Sequence, residues 1–263
     1  MNHNLYLLCE KRFSTEPGNP CMLDEQGQVL FTYTELQNQS AEIAAVLAAS
    51  GLRKGDRLVA QIDKTPLGVS LYLACLRKGI VYIPLNTAYT SSELEYFLRD
   101  SQAKLLVCAP DKQETLAPLA EALGIAQMFT ADENGQGSLL AQCNHHQPDT
   151  DIEQTDENDI AAILYTSGTT GAAKGAMLSH KNLSSNLQTL HALWGWKSDD
   201  VLLHALPIFH AHGLFVGVNL SLFNASPMIF LPKFKLDPVL DSLPRPTVFI
   251  GLPTVYIRTL ASE

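Results

Sequence analysis

The stretch Tyr165-Thr166-Ser167-Gly168-Thr169-Thr170-Gly171-Ala172-Ala173-Lys174-Gly175 decides how the rest of the chain is read. Apolar runs of strand length flank it at residues 160–166 and 175–178, so it connects two strands. Its three glycines let the backbone turn tightly and bring N–H groups to one point, the concave nest that holds anions. The hydroxyls of Thr166, Ser167, Thr169 and Thr170 add donors that a charged oxygen bonds well. Lys174 supplies one compact positive charge. A plain hairpin needs a turn of about two residues, and this connection is longer and far richer in hydroxyls than a turn demands. The pattern predicts a phosphate-holding loop. It is not a Walker A loop, because the chain has no Gly-Lys dipeptide, and no G-x-G-x-x-G occurs either.

Outward from the loop, helix and strand signals alternate. Upstream, Thr34-Glu35-Leu36-Gln37 reads as a capping box opening a helix with Leu36, Ile43 and Leu47 on its apolar face, closed by Gly51. Residues 56–62 read as a strand, Pro66 opens a helix that ends at Gly79, and residues 80–85 form a buried strand. Thr90-x-x-Glu93 caps another helix, 105–108 is a strand, and 112–123 is a helix ending at Gly124. Downstream, a helix is predicted at 182–192, strands at 201–206, 228–231 and 247–250, and a short helix at 238–243. Such alternation predicts an α/β fold of mainly parallel sheets flanked by helices. Residues 131–159 interrupt it. Asp149 to Asp159 carry six acids and no base, which reads as a surface connection and the best boundary candidate.

Composition narrows the function classes. With 46 % apolar and 17 % charged residues among 263, the chain is neither disordered, collagenous nor coiled coil. A chain of this size buries about 73 % of its extended surface, enough for a large core. The net charge of −9 is uneven: 11 basic against 22 acidic residues in 1–159, then 7 against 5 in 160–263. No nucleic-acid or anionic-membrane surface is expected of so acidic a first part. Five cysteines at wide spacing without C-x-x-C fit neither a disulfide framework nor a zinc site. The short apolar run at the N-terminus has no positive charge before it and is no signal peptide, so the cytoplasm is expected. Residues 201–232 lack Asp, Glu, Lys and Arg, but three prolines, three histidines and two asparagines predict two buried strands and a buried helix rather than a membrane span.

The loop sequence resembles the phosphate-loop signature of the adenylate-forming (AMP-binding) superfamily: acyl-CoA synthetases, peptide-synthetase adenylation domains and luciferases. Ser179-His180 and Leu206-Pro207-Ile208-Phe209-His210 extend the likeness. One departure is Ala173, where the family usually has proline. Within the superfamily, residues 71–90, 206–215, 228–234 and 251–256 resemble malonyl-CoA synthetases, enzymes of fatty acid metabolism. The resemblance implies a partial large N-terminal domain, with 1–150 its first βα-rich part and 151–263 its phosphate-loop and acyl-pocket part.

By the same resemblance, the chain is an acid–thiol ligase using ATP, Mg²⁺ and coenzyme A. A carboxylate, malonate foremost, attacks the α-phosphate, and CoA thiol then displaces AMP. Thr166, Ser167, Gly168, Thr169, Thr170, Gly171 and Lys174 would hold the β- and γ-phosphates, with Lys174 and His210 as the catalytic pair. His210 resembles the family's gate beside the acyl pocket. His212 shares a strand face with His210 if the strand runs that far, which offers either a polar partner for a dicarboxylate or half of a His-x-His metal pair with no third ligand near in sequence. The family's adenine, ribose and hinge motifs, its C-terminal lid domain and its malonate-gripping arginine are not found in these 263 residues. The C-terminal half is therefore expected to be a missing partner, the chain alone inactive, and part of 201–232 exposed. Two alternatives remain: a ligase for another short-chain or aryl carboxylate, and a non-catalytic nucleotide-binding remnant.

Overall fold

Polar caps and glycine stops divide the chain into alternating elements, and the computed structural model describes residues 2–13, 15, 18–166 and 173–261. The first elements are α1 (Leu5–Phe13), β1 (Pro20–Leu23), β2 (Val29–Thr32), α2 (Tyr33–Ala49), β3 (Arg57–Gln61), α3 (Pro66–Arg77) and β4 (Val81–Pro84). Then come α4 (Ser91–Ser101), β5 (Leu105–Cys108), α5 (Gln113–Ala122), β6 (Gln127–Thr130), α6 (Ser138–Cys143), β7 (Ile160–Thr166) and β8 (Lys174–Ser179). The last are α7 (His180–Trp194), β9 (Leu202–His204), a π-helical segment (His212–Val218), α8 (Asn219–Asn224), β10 (Met228–Phe230), α9 (Leu236–Ser242), β11 (Val248–Phe249) and α10 (Pro253–Leu260).

The caps explain several boundaries. Thr65 accepts the Gly68 N–H at 3.1 Å and Pro66 fills the first turn of α3. Thr90 and Glu93 form the expected reciprocal box on α4. The box expected at Thr34–Gln37 lies two residues earlier: the Thr32 N–H and hydroxyl donate to Glu35 at 2.7 Å, and the Glu35 N–H donates back to Thr32. Both pairs have the right spacing, but a carboxylate accepts more strongly than the Gln37 amide. The same bonds to Thr32 hold the Glu35 carboxyl below its ordinary pKa.

The chain divides into two compact units, Met1–Leu7 with Asn38–Leu183 and Leu8–Gln37 with Ser184–Glu263. The first holds a sheet of order β6-β5-β3-β4-β7-β8, parallel except for the β7–β8 pair. Val59, Ile83, Leu106 and Cys108 from its strands pack with Leu94, Phe97 and Leu98 of α4 and Leu116 of α5. Residues 131–159 lie wholly in this unit, and three of their acids are met by lysines: Lys78–Asp149 and Lys54–Asp159 at 2.7 Å, Lys181–Glu157 at 2.9 Å. Buried Arg77 stacks 4.2 Å over the Tyr6 ring, donates to the Tyr6 hydroxyl and reaches the Thr150 carbonyl at 2.8 Å.

The second unit holds a sheet of order β11-β9-β10-β1-β2, parallel except for β1–β2, over a core of Leu203, Ala205, Ile229, Leu231 and Val239. The charge-free run 201–232 supplies β9, a helical stretch and β10, as its composition predicts. Its apolar helical stretch is buried, with Leu214, Val218, Leu220 and Leu222 at most 1 % exposed, while His210 and Ala211 are exposed. Apolar exposure falls instead on α10, where Ile257 is 65 % and Leu260 82 % exposed. Among the described residues no helix is long and apolar enough to cross a membrane.

His180, buried in the first unit, makes stability there sensitive to pH. Its Nδ1 accepts the Leu5 N–H at 3.1 Å, and burial pushes its pKa down to about 4 despite Asp159, with Lys54 adding to the depression. Protonation would set N–H against N–H. Because the folded value lies below the unfolded one, the unfolded state takes up the proton first as pH falls. Stability is therefore full above about pH 6.5 and declines toward pH 4 by roughly 3 kcal/mol. Urea titrations between pH 7 and 4.5 should show this decline, and His180→Gln should flatten it; an unchanged slope in that variant would assign the decline to other groups.

Candidate functional site

The candidate loop is carried by the β7–β8 hairpin of the first unit. The antiparallel register runs from Ile160 opposite Ser179 to Thr166 opposite Lys174. Strand β7 is parallel to β4, so Thr166 stands at a carboxyl end of the sheet, the edge where open α/β sheets bind ligands. Thr166 and Lys174 are both exposed. Among the described residues Lys174 makes no ion pair. Ser167, Gly168, Thr169, Thr170 and Gly171 lie outside the described residues.

The stems of the hairpin are held by aromatic side chains. Tyr165 packs on Phe97 with centroids 4.7 Å apart and donates its hydroxyl to Asp100 at 2.6 Å. Burial and that carboxylate push the Tyr165 phenol above its ordinary pKa. Across the hairpin, the Tyr96 hydroxyl donates to the Ala173 carbonyl at 2.6 Å. Gly175 is needed here, since a Cβ would meet Ile163 at 2.9 Å and the Tyr165 ring at 3.3 Å. The sequence reading found the loop but missed Tyr96 and Asp100. Their one signal was i, i+4 spacing on a helix capped at Thr90.

His210 and His212 belong to the second unit. The strand expected at 201–206 ends at His204, so it does not run far enough to put the two histidines on one strand face. His210 lies exposed in a bend, its ring 4.6 Å from Phe209, and partial burial holds its pKa below the ordinary value. His212 opens the π-helical segment and lines a cleft of about 570 Å³ together with Trp194, Lys197, Ile250, Gly251 and Tyr256. A buried histidine that sequence reading passed over, His204, approaches the Gly213 carbonyl through Nε2 at 2.8 Å. Glycine at 213 and 217 makes that approach feasible: a Cβ would sit 2.1 Å from the Pro207 carbonyl oxygen at the first and 2.8 Å from the His204 ring at the second. Among the described residues no group of three His, Cys, Asp or Glu could hold a metal ion, so these side chains form no cage for magnesium.

Residues 9–263 match the AMP-binding enzyme family. The chain belongs to that family. This AMP-binding family member is 31 % identical to the mitochondrial malonate–CoA ligase of Mus musculus, over 91 % of this chain and 42 % of the relative. It is also 31 % identical to a long-chain-fatty-acid–CoA ligase of Bacillus subtilis, over 87 % of this chain and 47 % of that protein. The crystal structure of ATP-bound MatB from Rhodopseudomonas palustris superposes with a TM-score of 0.95 at 45 % identity, covering the whole of this chain and 52 % of that one. The chain thus spans about half the length of the proteins it matches. The shared fold is the N-terminal part of an adenylate-forming ligase.

The close approaches around the π-helix give a test. Gly213→Ala should cost about 3 kcal/mol or more, because the obstacle is a backbone carbonyl that cannot swing aside. Gly195→Ala, at φ +62° with nothing within 4 Å, should cost only about 1 kcal/mol of left-handed strain. Urea denaturation of both variants checks the order; equal costs would mean that the helix can shift away from Pro207.

Proposed function

We propose that this chain is the N-terminal half, with the phosphate loop and acyl pocket, of an acid–CoA ligase acting on malonate. The observation that carries the reading is the rung that sets Thr166 opposite Lys174 at a carboxyl sheet edge, with the Ser/Thr/Gly sequence between them. A triphosphate tail placed there meets backbone N–H groups, hydroxyls and one ammonium. As the carboxylate attacks the α-phosphorus and pyrophosphate leaves, the charge growing on that leaving group is what Lys174 and the loop donors stabilise. Coenzyme A thiol then displaces AMP. Magnesium would travel on the nucleotide's phosphates, since the described side chains form no cage for it.

His210, exposed and held toward its neutral form, suits a gate residue beside the acyl group, and His212 offers a polar contact from the wall of the cleft. Support for malonate comes from the malonate–CoA ligases of Mus musculus and Xenopus laevis, both 31 % identical over 91 % of this chain. A feruloyl-CoA synthase of Amycolatopsis at 33 % identity supports the second reading, an aryl carboxylate. Five free, buried cysteines suit a reducing compartment, the cytoplasm in the first instance.

The test is ATP–pyrophosphate exchange by the longest polypeptide that the reading frame encodes, with malonate, methylmalonate, acetate, a medium-chain acid and ferulate compared. Malonate should give the highest kcat/KM, and Lys174→Ala should lower it about 10- to 100-fold through loss of a charge-assisted contact. Acetate or ferulate winning would overturn malonate. Full activity in Lys174→Ala would overturn the phosphate-holding role itself. The 263-residue chain alone should give no exchange.

A further inference from the structure

The β7–β8 hairpin is poorly supported where it matters. Its ladder to β4 is made at Tyr82 and Ala162, whereas the ladder to β8 continues to Thr166 and Lys174. Among the described residues the last rungs of the hairpin, which set the mouth of the loop, therefore pair with each other past the end of the β4 ladder. Both stems lean on one helix instead. Tyr96 and Asp100 stand four residues apart on α4, hence on one face, and each takes a different stem. Tyr96 bonds the Ala173 carbonyl immediately before Lys174, and Asp100 bonds the Tyr165 hydroxyl immediately before Thr166. Phe97, 4 % exposed, ties α4 to the core and carries the Tyr165 ring. Tyr96 and Tyr165 also approach edge-on at 6.4 Å, which closes the arrangement across the hairpin.

We infer that Tyr96 and Asp100 are positioning residues for polyphosphate: they clamp the two stems of the hairpin onto α4 and so set the separation of Thr166 and Lys174. Neither side chain touches the phosphate. The inference rests on the reading that this hairpin holds the β- and γ-phosphates. The peptide carbonyl that Tyr96 holds is present whether residue 173 is alanine or proline, but alanine leaves φ free, so at Ala173 the hydroxyl does what a ring would do in part. Losing either bond loosens the mouth without removing a phosphate donor. The expected signature is weaker phosphate binding that depends on Lys174 being present.

Inorganic tripolyphosphate is the probe, titrated calorimetrically into the 263-residue chain, with melting temperatures measured in parallel. Tyr96→Phe keeps the ring and should raise Kd about fivefold while the melting temperature moves by less than about 2 °C, as loss of one partly exposed hydrogen bond allows. Asp100→Ala should act alike, and Asp100→Asn, which still accepts from Tyr165, should recover most of the loss. In a Lys174→Ala background Tyr96→Phe should change Kd no further, because the lysine it positions is gone. If Tyr96→Phe and Asp100→Ala bind like the parent while Lys174→Ala binds weakly, the clamp is overturned and the phosphate reading stands. Losses that add in the double variant and track melting temperature would also overturn it, assigning the pair to stability. No binding by the parent chain would sink the phosphate reading and the clamp with it.

Discussion

Thr166 and Lys174 form the last described rung of the β7–β8 ladder, and the chemistry proposed for this chain depends on that rung staying fixed. An exposed lysine alone is a weak anion site, because water competes for the charge and the flexible side chain loses entropy on binding. The affinity must come from several donors held in place beforehand. The pairing of Thr166 with Lys174 fixes where the two stems stand relative to one another. Gly175 permits it by letting the Tyr165 ring lie against the opposite strand, a place that a Cβ would fill.

The second unit solves a related problem with the same residue type. His204 on β9 reaches over to the Gly213 carbonyl, and Gly217 leaves space for its ring. The His204 ring thus ties β9 to the π-helical turn at the Gly213 carbonyl, in addition to the i→i+5 bonding that defines such a turn. His212 sits at the start of that turn and lines the cleft.

Much of this was readable from the residues, and the failures have physical reasons. The parallel sheet of the first unit was legible because its strands are short apolar runs separated by helices with strong caps at Thr65 and Thr90 and glycine stops at Gly79 and Gly124. The helix start near residue 33 was placed two residues late because two overlapping Thr-x-x-Glu/Gln pairs compete and only acceptor strength separates them. Strand β2 escaped notice since Val29 and Leu30 are half exposed and its pairing with β1 carries register shifts. A shared strand face for His210 and His212 was conditional on the strand at 201–206 running that far, and it stops at His204. The overriding signal was Gly213 and Gly217 four residues apart, which marks a helix packed close to its neighbours. Tyr96 and Asp100 were invisible as site residues, for nothing local tells that a capped amphipathic helix will lie against a loop some seventy residues downstream.

Net charge opposes the proposed substrates, for a chain of net charge −9 is asked to bind a triphosphate and a dicarboxylate. The arrangement of charges resolves this. The acids of residues 149–159 are not presented as a free negative field, because Lys54, Lys78 and Lys181 pair with three of them. Such pairs contribute at most about 1 kcal/mol each to stability, so their larger effect is to cancel field near the sheet. Lys174 is left outside that pairing among the described residues, and beyond about 8–10 Å salt screens what acidic charge remains. At the mouth of the hairpin the exposed ammonium of Lys174 stands with the Asp100 carboxylate, which the Tyr165 hydroxyl engages at 2.6 Å, so the balance of these local charges rather than the sign of the whole chain meets an anion that has come within a Debye length.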